Sequence, residues 1–293
     1  MKREARSIET KLTGIFRLFR FELSFAAGAC VLLAELFALG RMPSLQQAAV
    51  GFLSFFLISA SSLILNDVFD VETDRINAPA RPLPAGLVTK VEAILLFFFV
   101  ALLGCCLALM LGMEAFAICC IVCFVGFLYN WRFKKYGLAG NLLVAVSVGM
   151  TFVFGGVAVG NLSEPLVWFM GAMVFGVDLG EEIAADALDV EGDRKTGSRS
   201  LAVLYGSQTA MRTAAAIFSV VVAGSTVPFL SGWLEWWYLP PVALFDVVVV
   251  YSVSRLLNLR IPDRINDIRR IYLGGTGMIL VVIVIRLVMT CAS

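Results

Sequence analysis

The chain has 293 residues, of which 60% are hydrophobic and 15% charged, with a mean hydropathy of +0.90. A soluble domain carries about 45–50% apolar and roughly 25% charged residues, so lipid rather than water is the solvent for much of this chain. A net charge of +1 supplies no basic field for nucleic acid. The absence of histidine excludes imidazole acid–base catalysis and His-ligated zinc, iron or copper. The cysteines fall mostly inside apolar runs. Even Cys119, Cys120 and Cys123, which could share a helix face, read as small buried packing residues rather than a soft-metal site, and no disulfide framework is visible.

The segment from Met1 to Lys11 is polar and basic. No small-residue cleavage site follows a short apolar region, so the first apolar stretch is read as a retained span and not a signal peptide. Dividing the apolar stretches at charge clusters and Gly/Pro breaks predicts spans over 16–39, 44–66, 91–112, 114–131, 140–160, 165–182, 210–231, 236–256 and 270–290. Each is near the ~20 residues a helix needs to cross a bilayer. The runs lack period-two alternation, which argues against a β-barrel. The expected fold is therefore an all-α, multi-pass protein of the cell membrane with nine transmembrane helices, and the bilayer is its first partner.

Orientation follows from the basic residues. With the N-terminus in the cytoplasm and the C-terminus outside, Lys2, Arg3, Arg6, Lys11, Arg17 and Arg20 lie inside. So do Arg75, Arg81 and Lys90 of the second loop, and Arg132, Lys134 and Lys135 of the fourth. The sixth and eighth loops add Arg194, Lys195, Arg199 and Arg212, then Arg255, Arg260, Arg264, Arg269 and Arg270. Arg41 and Arg286 alone fall elsewhere.

After the second span the chain reads Asp67-Val-Phe-Asp70-Val-Glu-Thr-Asp74-Arg75, and at the end of the sixth Asp186-Ala-Leu-Asp189-Val-Glu-Gly-Asp193-Arg194. Both obey D-x-x-D-V-E-x-D-R. Four spans separate the copies, which puts both on the cytoplasmic face and makes the repeats parallel. The expected layout is a single domain over 1–293: one four-helix repeat over about 12–131, a second over about 140–256, a central cavity between them, and a ninth helix over about 270–290.

On a helix, positions i, i+3 and i+7 share a face, so Asp67, Asp70 and Asp74 project together, as do Asp186, Asp189 and Asp193, with Glu182 one turn earlier. Like charges about 4 Å apart repel by about 4 kcal/mol at an effective dielectric of 20, so facing sets need cations. Oxygen ligands without Cys or His select Mg²⁺, Mn²⁺ or Ca²⁺, and Mg²⁺ characteristically keeps positions open for phosphate oxygens. The bland alternative, solvated charges capping helix ends, fits one acidic loop but poorly fits two with the same spacing. Arg75 and Arg194 follow the acidic sets, Arg81 lies in a loop stiffened by Pro82 and Pro84, Lys134 follows the fourth span on the same face, and Arg20 lies at the approach to the first. Each can anchor the inner face, and each can bind phosphate; Arg81 and Lys134 are the better candidates.

Asn66-Asp67-x-x-Asp70-x-x-x-Asp74-x-x-Asn77 followed by Arg81-Pro82-x-Pro84-x-Gly86 resembles the first signature of the UbiA-type prenyltransferase superfamily. Asp186-x-x-Asp189-x-x-x-Asp193-Arg194-x-x-Gly197 with Ser200-Leu201 is similar to its second. The resemblance implies Mg²⁺-dependent transfer of a polyprenyl group from its diphosphate to a lipophilic acceptor. It makes Asp67, Asp70, Asp74, Asp186, Asp189, Asp193 and Glu182 metal ligands, and Asn66 and Tyr129 catalytic neighbours. Arg20, Arg75, Asn77, Arg81, Lys134 and Arg194 then bind substrate. The segment Glu182 to Asp193 looks most like the archaeal branch that makes ether lipids, in which geranylgeranyl diphosphate alkylates geranylgeranylglyceryl phosphate. Asp193-Arg194-Lys195-x-Gly197 is also similar to branches with aromatic, quinone-precursor acceptors. A cation transporter is the alternative of another class.

Overall fold

The computed structural model describes residues 11–258 and 264–292. Nine helices of 18 residues or more stand among them: α1 Phe21–Leu39, α2 Leu45–Asn77, α3 Lys90–Leu109, α4 Met113–Trp131, α5 Leu138–Ala158, α6 Pro165–Leu188, α7 Ser207–Gly224, α8 Leu239–Leu256 and α9 Ile265–Ala292. Eight of the described helices are long and apolar enough to cross a membrane. The exception is α6, which has the length but carries Asp178, Glu181, Glu182 and Asp186.

Local chemistry sets the ends. Ser44 and Thr89 open α2 and α3 with capping boxes completed by Gln47 and Glu92. Gly40 closes α1 in the left-handed conformation, its N–H bonded to the Leu36 and Phe37 carbonyls. Two boundaries differ from expectation. The second helix does not stop at Asn66 but runs 33 residues to Asn77, about 50 Å against a hydrocarbon core of about 30 Å. Its last turns therefore lift the first acidic set to the membrane surface as continuous helix. Arg20, before the first span, is left-handed (φ 40°) between helical residues 11–18 and α1.

The helices close a ring around a cavity. α1 is the most buried; it packs on α2, α5, α6 and α9, and α4 completes the wall between α2 and α5. α7 and α8 link α6 to α9, while α3 stands outside, behind α2 and α4. Buried Leu33, Leu36, Phe152, Phe154 and Tyr238 fill the contacts of α1 with its neighbours. The outward faces show Phe98, Phe99, Phe124, Val247 and Val284, the surface lipid tails wet. Trp168, Trp233, Trp236 and Trp237 are exposed at one end of the bundle and Trp131 at the other, as an interfacial aromatic belt requires. Cys30, Cys105 and Cys119 are free and buried among apolar side chains, and no metal-holding cluster of Cys or acids occurs among the described residues.

The turn Phe133–Tyr136 after α4 is fastened to the second acidic segment. Arg199 N–H donates to the Lys135 carbonyl (2.9 Å), and Gly137 (φ 56°) lies so close to Arg199 and Ser200 that a Cβ there would sit 2.6 Å from Ser200 Cα. Gly137→Ala therefore meets both backbone strain and a backbone clash. The variant should lose about 2 kcal/mol or more of stability, read as an earlier thermal transition in detergent; an unchanged transition would show that this contact yields freely.

Candidate active site

The ring encloses a cavity of ≈ 610 Å³ lined by residues of every long helix except α3. Along α6 its lining runs from Phe169 to Glu182, about 20 Å of depth at 1.5 Å per residue. Its floor and walls are mostly apolar, with Phe37, Phe55, Phe169, Phe229 and Phe245 among them, broken by the acids Asp178, Glu181 and Asp246, and its mouth holds Arg20, Asn66, Asp70, Arg81, Lys134 and Glu182.

The first acidic set is wrapped in cations. Asp67 is buried and ion-paired to Arg20, with Arg81 3.6 Å away. Arg81 donates to Asp74 at 2.6 Å, and Lys134 pairs with Asp70. Of the three carboxylates, Asp70 faces the cavity, whereas Asp67 and Asp74 stand behind it. The Asn66 amide is 3.0 Å from that of Asn130. Turned with nitrogen toward Asp70 Oδ2 (3.1 Å) and oxygen toward Lys134 Nζ (3.2 Å), it joins the Asp70–Lys134 pair. The Arg81 loop is itself held down by Arg17, which donates to the Ala80 carbonyl at 2.8 Å.

The second set is built differently. The expectation of three aspartates on one helical face holds for α2 but not here: the helix breaks at Asp189, which ends α6 and begins the short helix Val190–Thr196. The break is made beside Gly192, where a Cβ would lie 2.6 Å from Asp189 Oδ2, so glycine leaves the cradle in which that carboxylate rests. Asp186 accepts a hydrogen bond from Asn141 (2.9 Å), and Asp193 one from Ser200 (2.5 Å). Burial pushes the Asp193 carboxyl above its ordinary value, opposed by the Ser200 hydroxyl and, among weaker effects, by the Lys134 charge.

Lys134 joins the two sets, since it pairs with Asp70 and lies within electrostatic reach of both Glu182 and Asp193. Tyr129 lines the same mouth within reach of Glu182, Asp70, Asp186 and Asp178. Other candidates lie apart. Arg75 turns outward to Glu72 at 2.8 Å, Arg194 is exposed in the last turn of its short helix, and the side chain of Asn77 lies outside the described residues. Asn141, Asp178 and Glu181 belong to the site's surroundings without having been singled out. An acid inside a predicted span is a functional signal in its own right, and Asp178 and Glu181 carried it.

The donor set is all hard oxygen, which suits Mg²⁺. Among the described residues no three acids converge into a finished metal cage. That fits a cation that keeps its waters and takes one or two carboxylates plus substrate phosphate.

A model of the UbiA prenyltransferase family matches residues 27–274. The digeranylgeranylglyceryl phosphate synthase of Thermococcus gammatolerans is 34% identical over 79% of this chain and 82% of its own length. A solved structure of a digeranylgeranylglyceryl phosphate synthase superposes with a TM-score of 0.72 at 27% identity, over 96% of this chain and 98% of the other. A UbiA homolog from Archaeoglobus fulgidus, solved with GPP and Mg²⁺, shares the fold at a TM-score of 0.65 and 21% identity, over 92% and 99% of the two chains. With the family model spanning both acidic sets and most of the cavity lining, the chain belongs to the UbiA prenyltransferase family.

Proposed function

We propose that the protein transfers a geranylgeranyl group from its diphosphate to geranylgeranylglyceryl phosphate, with Mg²⁺, as a step of ether-lipid synthesis. The observation that carries this reading is an apolar cavity about 20 Å deep whose mouth is ringed by carboxylates and by Arg20, Arg81 and Lys134. A prenyl diphosphate has that polarity, an apolar tail on a polyanionic head. The curated relatives bearing the digeranylgeranylglyceryl phosphate synthase name point to the acceptor.

Asp67, Asp70, Asp189 and Asp193 would hold Mg²⁺, with Asp74, Asp186 and Glu182 around them. Once bound, the metal offsets charge on the departing diphosphate. The chain's own residues do the rest. Lys134, Arg20 and Arg81 exchange carboxylates for phosphate oxygens and fix the head at the mouth. Asn66 and Asn130 hold Asp70 and Lys134 in register. The Phe-lined wall takes the tail and keeps water from the allylic cation. The allylic C–O bond breaks with its electron pair on the diphosphate, and the acceptor oxygen bonds the allylic carbon as its proton passes to the released diphosphate.

In this reading all nine long helices cross the membrane, α6 included, because its acids face the cavity or its mouth rather than lipid. They form two parallel four-helix repeats and a ninth helix, with the N-terminus and the acidic mouth cytoplasmic and the C-terminus outside. The test is Mg²⁺-dependent transfer of labelled geranylgeranyl diphosphate by the protein in lipid nanodiscs, offered geranylgeranylglyceryl phosphate and a dihydroxynaphthoate in parallel. Product on the glyceryl phosphate is expected. Product only on the ring would move the acceptor to a quinone precursor.

A further inference from the structure

About 6 Å below Glu182 along α6, the cavity wall carries Asp178, and beside it Glu181. Both line the cavity, and Asp178 Oδ2 and Glu181 Oε1 are buried with no hydrogen-bond partner among the described residues. Neither belongs to the acidic repeat: Asp178 lies about 12 Å below Asp186, and the basic groups of the mouth are committed to Asp67, Asp70 and Asp74. Five hydroxyls of the cavity lining are committed elsewhere and do not serve the two carboxyls. Ser62 donates to the Ile58 carbonyl, Ser147 to Leu143, Thr151 to Val148, Thr276 to Tyr272, and Tyr272 to Glu22. A buried carboxyl without a partner is costly in a low-dielectric site. These two wait for a molecule that brings hydrogen-bond donors.

A prenyl diphosphate brings none; its tail is hydrocarbon and its head accepts only. An alcohol brings one at the atom that reacts. We propose that Asp178 and Glu181 form the acceptor subsite, gripping the free hydroxyl of an alcohol-bearing lipid and setting its oxygen below the diphosphate, beside the allylic carbon. This deepens the functional reading above and rests on it. The same site selects an alcohol over an aromatic carbon, because an acceptor without the hydroxyl leaves unpaired the carboxyl that would take its hydrogen bond.

The experiment uses the full chain in nanodiscs and compares Asp178→Asn, Asp178→Ala and Glu181→Gln with the parent protein. Three quantities are read: kcat/KM for geranylgeranylglyceryl phosphate, inhibition by its 2-deoxy analogue, and binding of labelled geranylgeranyl diphosphate. Hydrogen bonds to charged groups predict a fall of roughly 10- to 100-fold in acceptor kcat/KM, with donor affinity held within about twofold. The parent should bind the hydroxylated acceptor at least about tenfold better than the deoxy analogue, and Asp178→Ala should lose that preference. Removing an unpaired acid from a cavity wall spares the fold, so thermal transitions should not fall. Parent-like acceptor kinetics in all three variants would overturn the proposal. So would a parallel loss of donor affinity, which would move both acids into the diphosphate site. If the parent itself ignores the glyceryl phosphate and alkylates the ring, the broader functional reading fails first, and the variants are not what decides it.

Discussion

Asp70→Ala removes prenyl transfer, by about 10³-fold or more, and leaves the protein inserted and folded. The size follows from what the carboxylate does: it is the member of the first set that faces the cavity, and charge stabilisation of this kind supports about 10²–10³ per group before the metal is counted. The fold survives because Lys134, left without Asp70, is still about a third exposed and lies within reach of Glu182 and Asp193. Asp67→Ala should be as inactive but less forgiving. Asp67 is 3% exposed and anchors Arg20, whose left-handed backbone costs about 1–2 kcal/mol and is held by that pair. Breaking a buried pair from one side costs about 3–5 kcal/mol; Arg20 retains some solvent, so a loss of about 1–3 kcal/mol is expected. Transfer assays and thermal melts on both variants separate the roles. Turnover like that of the parent in both would remove the first acidic set from the chemistry, and equal melting of the two would remove the structural distinction.

Much of this was legible along the chain because lipid imposes simple rules. Each apolar run became a helix, and the 3.6-residue period placed Asp67, Asp70 and Asp74 on one face of α2. What hydropathy could not convey is where a helix ends once it leaves the hydrocarbon. α2 continues to Asn77 because Arg20, Arg81 and Lys134 neutralise its acids from other elements. The identical spacing of the second set concealed a different backbone. Gly192, where the first copy has Thr73, admits the Asp189 carboxylate and lets the helix break. Asn141 and Ser200 reach Asp186 and Asp193 from other elements, and no local pattern announces such partners. Arg75 matched its counterpart in the repeat, yet its nearest acid, Glu72, sits one turn back and holds it outward.

Lys134→Ala should separate two affinities that most substitutions at the mouth would lower together. The side chain is bound to Asp70, and its charge reaches Glu182 and Asp193, so before substrate arrives it occupies the place a divalent cation wants. Removing it frees Asp70 and leaves that carboxylate facing Glu182 and Asp193 with no cation between them. Two such charges near a surface repel by about 4 kcal/mol at 4 Å, and a divalent ion relieves that better than water does. Mn²⁺ binding without prenyl diphosphate, followed by electron paramagnetic resonance, should therefore tighten. Donor binding should weaken by roughly 10- to 100-fold, because a charge-assisted hydrogen bond to phosphate is lost. Lys134→Arg should restore much of the donor affinity, since a guanidinium also grips phosphate. A residue serving only to hold the inner face of the membrane would move neither quantity, and a site in which Lys134 itself supports the metal would lose both. Opposite signs in one variant are the outcome expected if this lysine holds the mouth ready for an anion by standing where the cation will go.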